Sequence, residues 1–115
     1  MTDPALPFPP ASALVGALAP SPNHGARNAP VDMVLLHYTG MESAEAAIAL
    51  LRSPAAEVSC HYVVLEDGTI VQMVPEALRA WHAGVSSWEG ITDTNSRSIG
   101  IEIVNPGHGL GYPDF

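Results

Sequence analysis

Seven of the eleven prolines, Pro4, Pro7, Pro9, Pro10, Pro20, Pro22 and Pro30, fall within the first 30 residues. Each proline fixes φ and removes a backbone donor, so residues 1–30 read as an extended arm, neither a helix nor the interior of a sheet. The folding unit then begins near Val31, and residues 31–115 are left for one small core.

Beyond Val31 the periodicity alternates between strand and helix. Met33 to Tyr38 is a short apolar run closed by Gly40, which predicts a buried strand. Ala44, Ala47, Ile48 and Leu51 share one helical face. Glu42 and Glu45 suit its positive first turn, Arg52 its last, and Pro54 stops it. Ser59–Leu65 and Thr69–Val74 flank Glu66-Asp67-Gly68 and predict a hairpin whose Asp-Gly supplies positive φ. Pro75 is expected to open a single helical turn over Glu76–Ala80. Trp81 to Arg97 reads as a loop carrying both tryptophans, and Ser98 to Val104 as the last clear strand. Gly107 to Phe115 shows no periodicity. The order predicts an α/β fold, a mixed central sheet with flanking helices. No helix is available for the sheet's second face, which suggests that the C-terminal part of the domain is missing.

Charge narrows the partners. Twelve acidic residues against four arginines and no lysine give a formal charge of −8. That charge repels phosphate backbones and anionic lipid, which argues against nucleic acid and membrane surfaces. No run reaches the roughly 18 apolar residues of a membrane span. Asp3 stands where a leader's first region is basic, and Ala11–Ala19 is broken by Gly16, so cytoplasm is the expected compartment, or the envelope if a leader is missing. Cys60 is the single cysteine. It has no internal disulfide partner, and with no cation beside it in sequence it reads as a small buried residue.

Glu102 is the most informative residue. Alternation in Ser98–Val104 puts Ile99, Ile101 and Ile103 on one face and Gly100, Glu102 and Val104 on the other, embedding a carboxylate in an apolar strand. Such a group pairs, transfers protons, or lies on the solvated face of an edge strand. His37 lies near the end of the first strand, where ligands and catalytic groups gather, yet a lone histidine is more often a hydrogen-bonded core or rim residue. No His-x-His, His-x-x-x-His or His-Glu-x-x-His pair occurs. His61 shares a strand face with Val63 and Leu65, so structural hydrogen bonding is its default role. His24 lies in the arm. His82 and His108 sit in loops beside glycines. The two tryptophans, Trp81 and Trp88, suit stacking on sugar or peptide, or a lid packed on the sheet.

In order along the chain, Val34-Leu35-Leu36-His37-Tyr38-Thr39, Val58–Val64 with Asp67–Val74, Ala80-Trp81-His82-Ala83-Gly84 and Asn95–Glu102 resemble the type-2 N-acetylmuramoyl-L-alanine amidases, the zinc family related to the peptidoglycan recognition proteins. The resemblance covers about Ser21 to Pro113. It implies hydrolysis of the amide between N-acetylmuramic acid and L-alanine of the stem peptide, on peptidoglycan or muropeptides. It also implies a Zn2+ cofactor with His37 as one of three protein ligands, Glu102 as general base, and His82, Trp88 and Asn95 along the substrate groove. Some relatives carry a catalytic tyrosine where Cys60 stands, so Glu102 alone would take the base role. The family's other ligands, a histidine and an aspartate or cysteine, and a supporting lysine come from a C-terminal segment that these 115 residues do not contain. The resemblance therefore implies the N-terminal portion of an amidase, inactive alone. A muropeptide-binding module without catalysis and an incomplete gene product are the alternatives. His61, His82 or His108 could also rebuild the metal site.

Overall fold

The computed structural model describes residues 10, 12–41, 43–83, 87–88 and 91–104. Nine strands and two α-helices follow in chain order: β1 (Ala17–Leu18), β2 (His24–Ala26), β3 (Met33–Tyr38), α1 (Ala44–Leu51), β4 (Tyr62–Val64), β5 (Ile70–Gln72), β6 (Leu78–Ala80), β7 (Ser87–Trp88), β8 (Ile91–Thr92), α2 (Thr94–Arg97) and β9 (Ser98–Ile103). The main sheet has the order β1-β5-β4-β9-β3. β9 runs parallel to both β3 and β4, β4 and β5 form the antiparallel hairpin, and β1 lies parallel to β5. This is the mixed α/β sheet the sequence predicts.

The alternation in β9 sorts the sheet into two faces. One carries Gly100 and Glu102 beside Leu35, His37 and Val63, and the other carries Ile99, Ile101 and Ile103 beside Val34, Leu36 and Tyr38. Helix α1 packs on the first face. Its Leu51 joins Cys60, Val63, Val71, Met73 and Val104 in the core, with Ala44 and Ile48 against it, the apolar stripe anticipated from the spacing. Burying a leucine of this kind contributes about 1.5–3 kcal/mol. The Ser43 hydroxyl caps the helix by accepting from the Ala46 N–H. Pro54 opens a 3-10 turn, Pro54–Ala56.

Several local expectations are corrected by partners distant in sequence. β3 is an edge strand rather than a buried one, and Val34, Leu36 and Tyr38 are exposed on the second face. The proline-rich segment is extended, but it is also hydrogen-bonded: β1 adds to the main sheet, and β2 pairs antiparallel with β6. That pairing makes Leu78–Ala80 a strand where a helical turn was expected, because Pro75 sets only a local φ while β2 supplies a ladder partner. The Trp81–Arg97 loop contains the β7–β8 hairpin and the single turn α2. The central hairpin strands are shorter than expected. Only Gly68 in its turn takes a positive φ, 89°, with Gly68 N–H donating to Leu65 O and Leu65 N–H to Thr69 O. Gly107–Phe115, with His108, lie outside the described residues.

Candidate active site

The register brings the two most informative residues together. His37 and Glu102 are direct partners across the parallel β3–β9 pair, so both side chains leave the same face, the one that α1 covers. β9 lies between β4 and β3. Glu102 is therefore on a central strand, and the solvated face of an edge strand is ruled out as its explanation. Its Oε2 is buried with no hydrogen-bond partner among the described residues. Burial pushes its carboxyl up to about 7. A cavity of about 200 Å³ opens here, with Glu102 and His82 in its polar wall and Leu50, Leu51, Val58 and Trp81 in its apolar wall.

His82 sits at the centre of a chain of polar contacts. Its Nδ1 is 3.1 Å from His37 Nε2, and its Nε2 is 2.9 Å from Ser98 Oγ. Burial first, then the neighbouring His37 and His61, bring it down to about 3, and burial also lowers His37. His82 lies against β9 at Gly100, where an added Cβ would come within 2.4 Å of the His82 ring. Gly100 is thus a position where only a glycine leaves room for the His82 ring, which the residue-by-residue reading missed. Its signal was available, since a glycine inside an apolar strand marks a close approach. Both His82 nitrogens are engaged within the protein, and His82 also lines the cavity.

Asn95 is 5% exposed, and its Oδ1 accepts from the backbone N–H groups of His82 (3.0 Å) and Ala83 (2.8 Å). It holds the histidine-bearing loop in place. Trp88 is placed by its backbone in β7, and its side chain lies outside the described residues.

His61 is fully buried. Its Nδ1 accepts from Gly100 N–H (3.0 Å), and its Nε2 lies between Leu78 O (2.8 Å) and Arg27 Nη2 (2.9 Å). Burial brings it down to about 4. The structural role expected for His61 is observed, and neither of its nitrogens is left for a metal. Cys60 is also buried, with its thiol pushed up by burial and then by the Glu102 charge, so it is an inert core residue, as its sequence context suggested.

Arg27 and Asp93 were not singled out from sequence, because each acts on groups distant along the chain. Arg27 donates to the carbonyls of Glu76, Asn95 and Ser96. Asp93, at φ 57°, accepts from Arg79, Asn28 and Ser96. Together they clasp the N-terminal segment to β6 and α2.

His37 and the half-buried Glu102 thus share one face of the sheet, and Glu102 lines the cleft beside α1. The chain belongs to the N-acetylmuramoyl-L-alanine amidase family, whose model matches residues 27–115. The 1,6-anhydro-N-acetylmuramyl-L-alanine amidase AmpD of Citrobacter freundii is 56% identical over 46 residues, 40% of this chain and 25% of that protein. A crystal structure of a selenomethionine AmpD derivative superposes with a TM-score of 0.73 at 32% identity, covering 90% of this chain and 67% of that one. The Escherichia coli amidase AmiD, in complex with its substrate anhydro-N-acetylmuramic acid-L-Ala-D-γ-Glu-L-Lys, gives a TM-score of 0.59 at 38% identity, over 71% of this chain and 34% of that one. The 46-residue sequence match spans about a quarter of the length of the curated AmpD.

Proposed function

We propose that the protein carrying these residues hydrolyses the amide between N-acetylmuramic acid and L-alanine of the stem peptide. The observation that carries the reading is Glu102, a carboxyl on the central strand directly opposite His37, with an unpartnered buried oxygen and a proton affinity matched to neutral pH. Family membership and the substrates named for AmpD and AmiD support it.

In this mechanism Glu102 takes a proton from the attacking water as its oxygen adds to the amide carbonyl. Glu102 then delivers that proton to the alanine nitrogen as the C–N bond breaks, leaving a free peptide amine and a muramyl carboxylic acid, which releases its remaining proton to water at neutral pH. Proton transfer by a positioned carboxyl contributes about 10²–10⁴-fold. The groove assignment keeps His82, which lines the cavity, with Trp88, and Asn95 through the loop it braces.

Zinc enters this proposal through His37, whose imidazole stands beside Glu102 and is the donor type zinc takes. One imidazole is a single ligand. Among the described residues no group of three His, Cys, Asp or Glu side chains could hold a metal ion. The described residues therefore do not make a zinc centre by themselves, and no step above runs through the metal. The two tryptophans of the Trp81–Arg97 segment, suited to stacking on sugar or peptide, support a second reading, a module that binds muropeptide without cleaving it.

The test is to incubate the full-length protein, with zinc supplied, with anhydro-N-acetylmuramyl-L-Ala-D-γ-Glu-L-Lys and to follow free tripeptide by chromatography. Tripeptide release, lowered about 10²–10⁴-fold by Glu102→Gln, is the expected result. Calorimetric binding without release would move the assignment to the binding module, and neither binding nor release would overturn both.

A further inference from the structure

The chain of contacts behind His37 ends on a group whose role admits no choice. Thr94 O is a carbonyl and only accepts, and Ser98 Oγ lies 2.7 Å from it, so the serine proton is committed there. Ser98 therefore faces His82 Nε2 with a lone pair, and Nε2 carries the hydrogen of that 2.9 Å contact. Neutral His82 then has a bare Nδ1, which accepts from His37 Nε2–H across 3.1 Å. His37 is left with a single lone pair, on Nδ1, and no partner for Nδ1 is found among the described residues. Ser98 is fully buried, and the fit of the His82 ring over Gly100 prevents the ring from sliding out of line.

We propose that Ser98 and His82 are positioning residues that lock the tautomer of His37 from behind, so that His37 meets the site through Nδ1 alone. An imidazole free to exchange tautomers presents a lone pair and an N–H alternately at the same atom. A locked one offers its lone pair at one atom all the time, as proton acceptor or as donor to a cation. The use of this lock rests on the amidase reading, but the lock itself does not.

The test is a long-range 1H–15N correlation spectrum of the 15N-labelled, metal-free protein at neutral pH, without substrate, compared with the same protein in urea. His37 and His82 are each expected to show one tautomer, bare at Nδ1 and protonated at Nε2, against averaged shifts in urea. Ser98→Ala is expected to return His37 to averaged shifts, with Ser98→Thr restoring the single tautomer. A wild-type His37 that is averaged, or protonated at Nδ1, overturns the proposal whatever the variants do. An unchanged His37 in folded Ser98→Ala overturns the part assigned to Ser98. Because neither zinc nor substrate is present, failure here is separable from failure to release tripeptide.

Discussion

Glu102 stands directly across from His37 in the β3–β9 register, and it is the carboxyl, not the imidazole, that occupies the central strand. Burial raises its affinity for a proton from the ordinary 4.5 to about 7. Between those values the unfolded chain releases a proton that the folded chain keeps, so Glu102 costs stability as pH rises through this window, with the full cost above 7. The shift corresponds to roughly 3 kcal/mol in a dry site, and solvent screening of a half-buried group reduces this to about 1–2 kcal/mol. Glu102→Gln is therefore expected to stabilise the fold by about 1–2 kcal/mol at pH 8. By pH 5 most of that difference is gone, and urea denaturation at the two values measures it.

His61 and His82 give the opposite slope. Their folded values, about 4 and about 3, lie below the ordinary 6.5. The unfolded chain takes up protons below 6.5 that the folded chain refuses, so stability falls on acidification from about 6.5 toward 4 and is complete above 6.5. Circular dichroism followed down in pH should show cooperative loss of structure inside that window. Replacing His61 with Gln is expected to shift the acid midpoint downward, and an unmoved midpoint would contradict the assignment.

Gly100→Ala places a methyl 2.4 Å from the His82 ring. The ring is held by its contacts with Ser98 and His37, so it can yield only by giving them up. The expected cost is about 1–3 kcal/mol from overpacking. A double variant with His82→Ala should recover part of that cost, because the clash needs both groups. Denaturant midpoints of the two single variants and the double variant measure the coupling.

Asn95→Ala removes the acceptor shared by two backbone N–H groups of the His82 loop. Leaving part-buried donors unpaired costs about 1–3 kcal/mol. Amide exchange at His82 and Ala83 should accelerate far more than exchange in β4 and β5. Equal acceleration everywhere would indicate global destabilisation instead of a local brace.

The parts of this fold that could be read from sequence are those whose information is local. The α1 stripe Ala44, Ala47, Ile48, Leu51 and the two faces of β9 follow from side-chain period alone, and they are what the structure shows. The site residues Glu102 and His37 stood out because each is a polar group in an apolar strand, and strand pairing then set them opposite one another. What local reading missed is pairing over distance. Leu78–Ala80 becomes a strand because His24–Ala26, more than fifty residues earlier, lies beside it. Arg27 reaches three carbonyls in two other segments, at Glu76 and in α2, which no spacing rule encodes. The contacts of His82 with Ser98 and Gly100 join segments apart in the chain, so the strand period alone does not encode them.

The strands before Val31 act as a strap whose removal would not be neutral. Gly16, Ala19 and Ser21 donate to the carbonyls of Ile70, Gln72 and Met73. A protease that trims the head of the chain, or an expression product started at Val31, would strip those carbonyls of their donors and leave the outer borders of β5 and β6 bare. Bare borders recruit strands from other molecules, so a shortened protein would trade an internal seam for clumping.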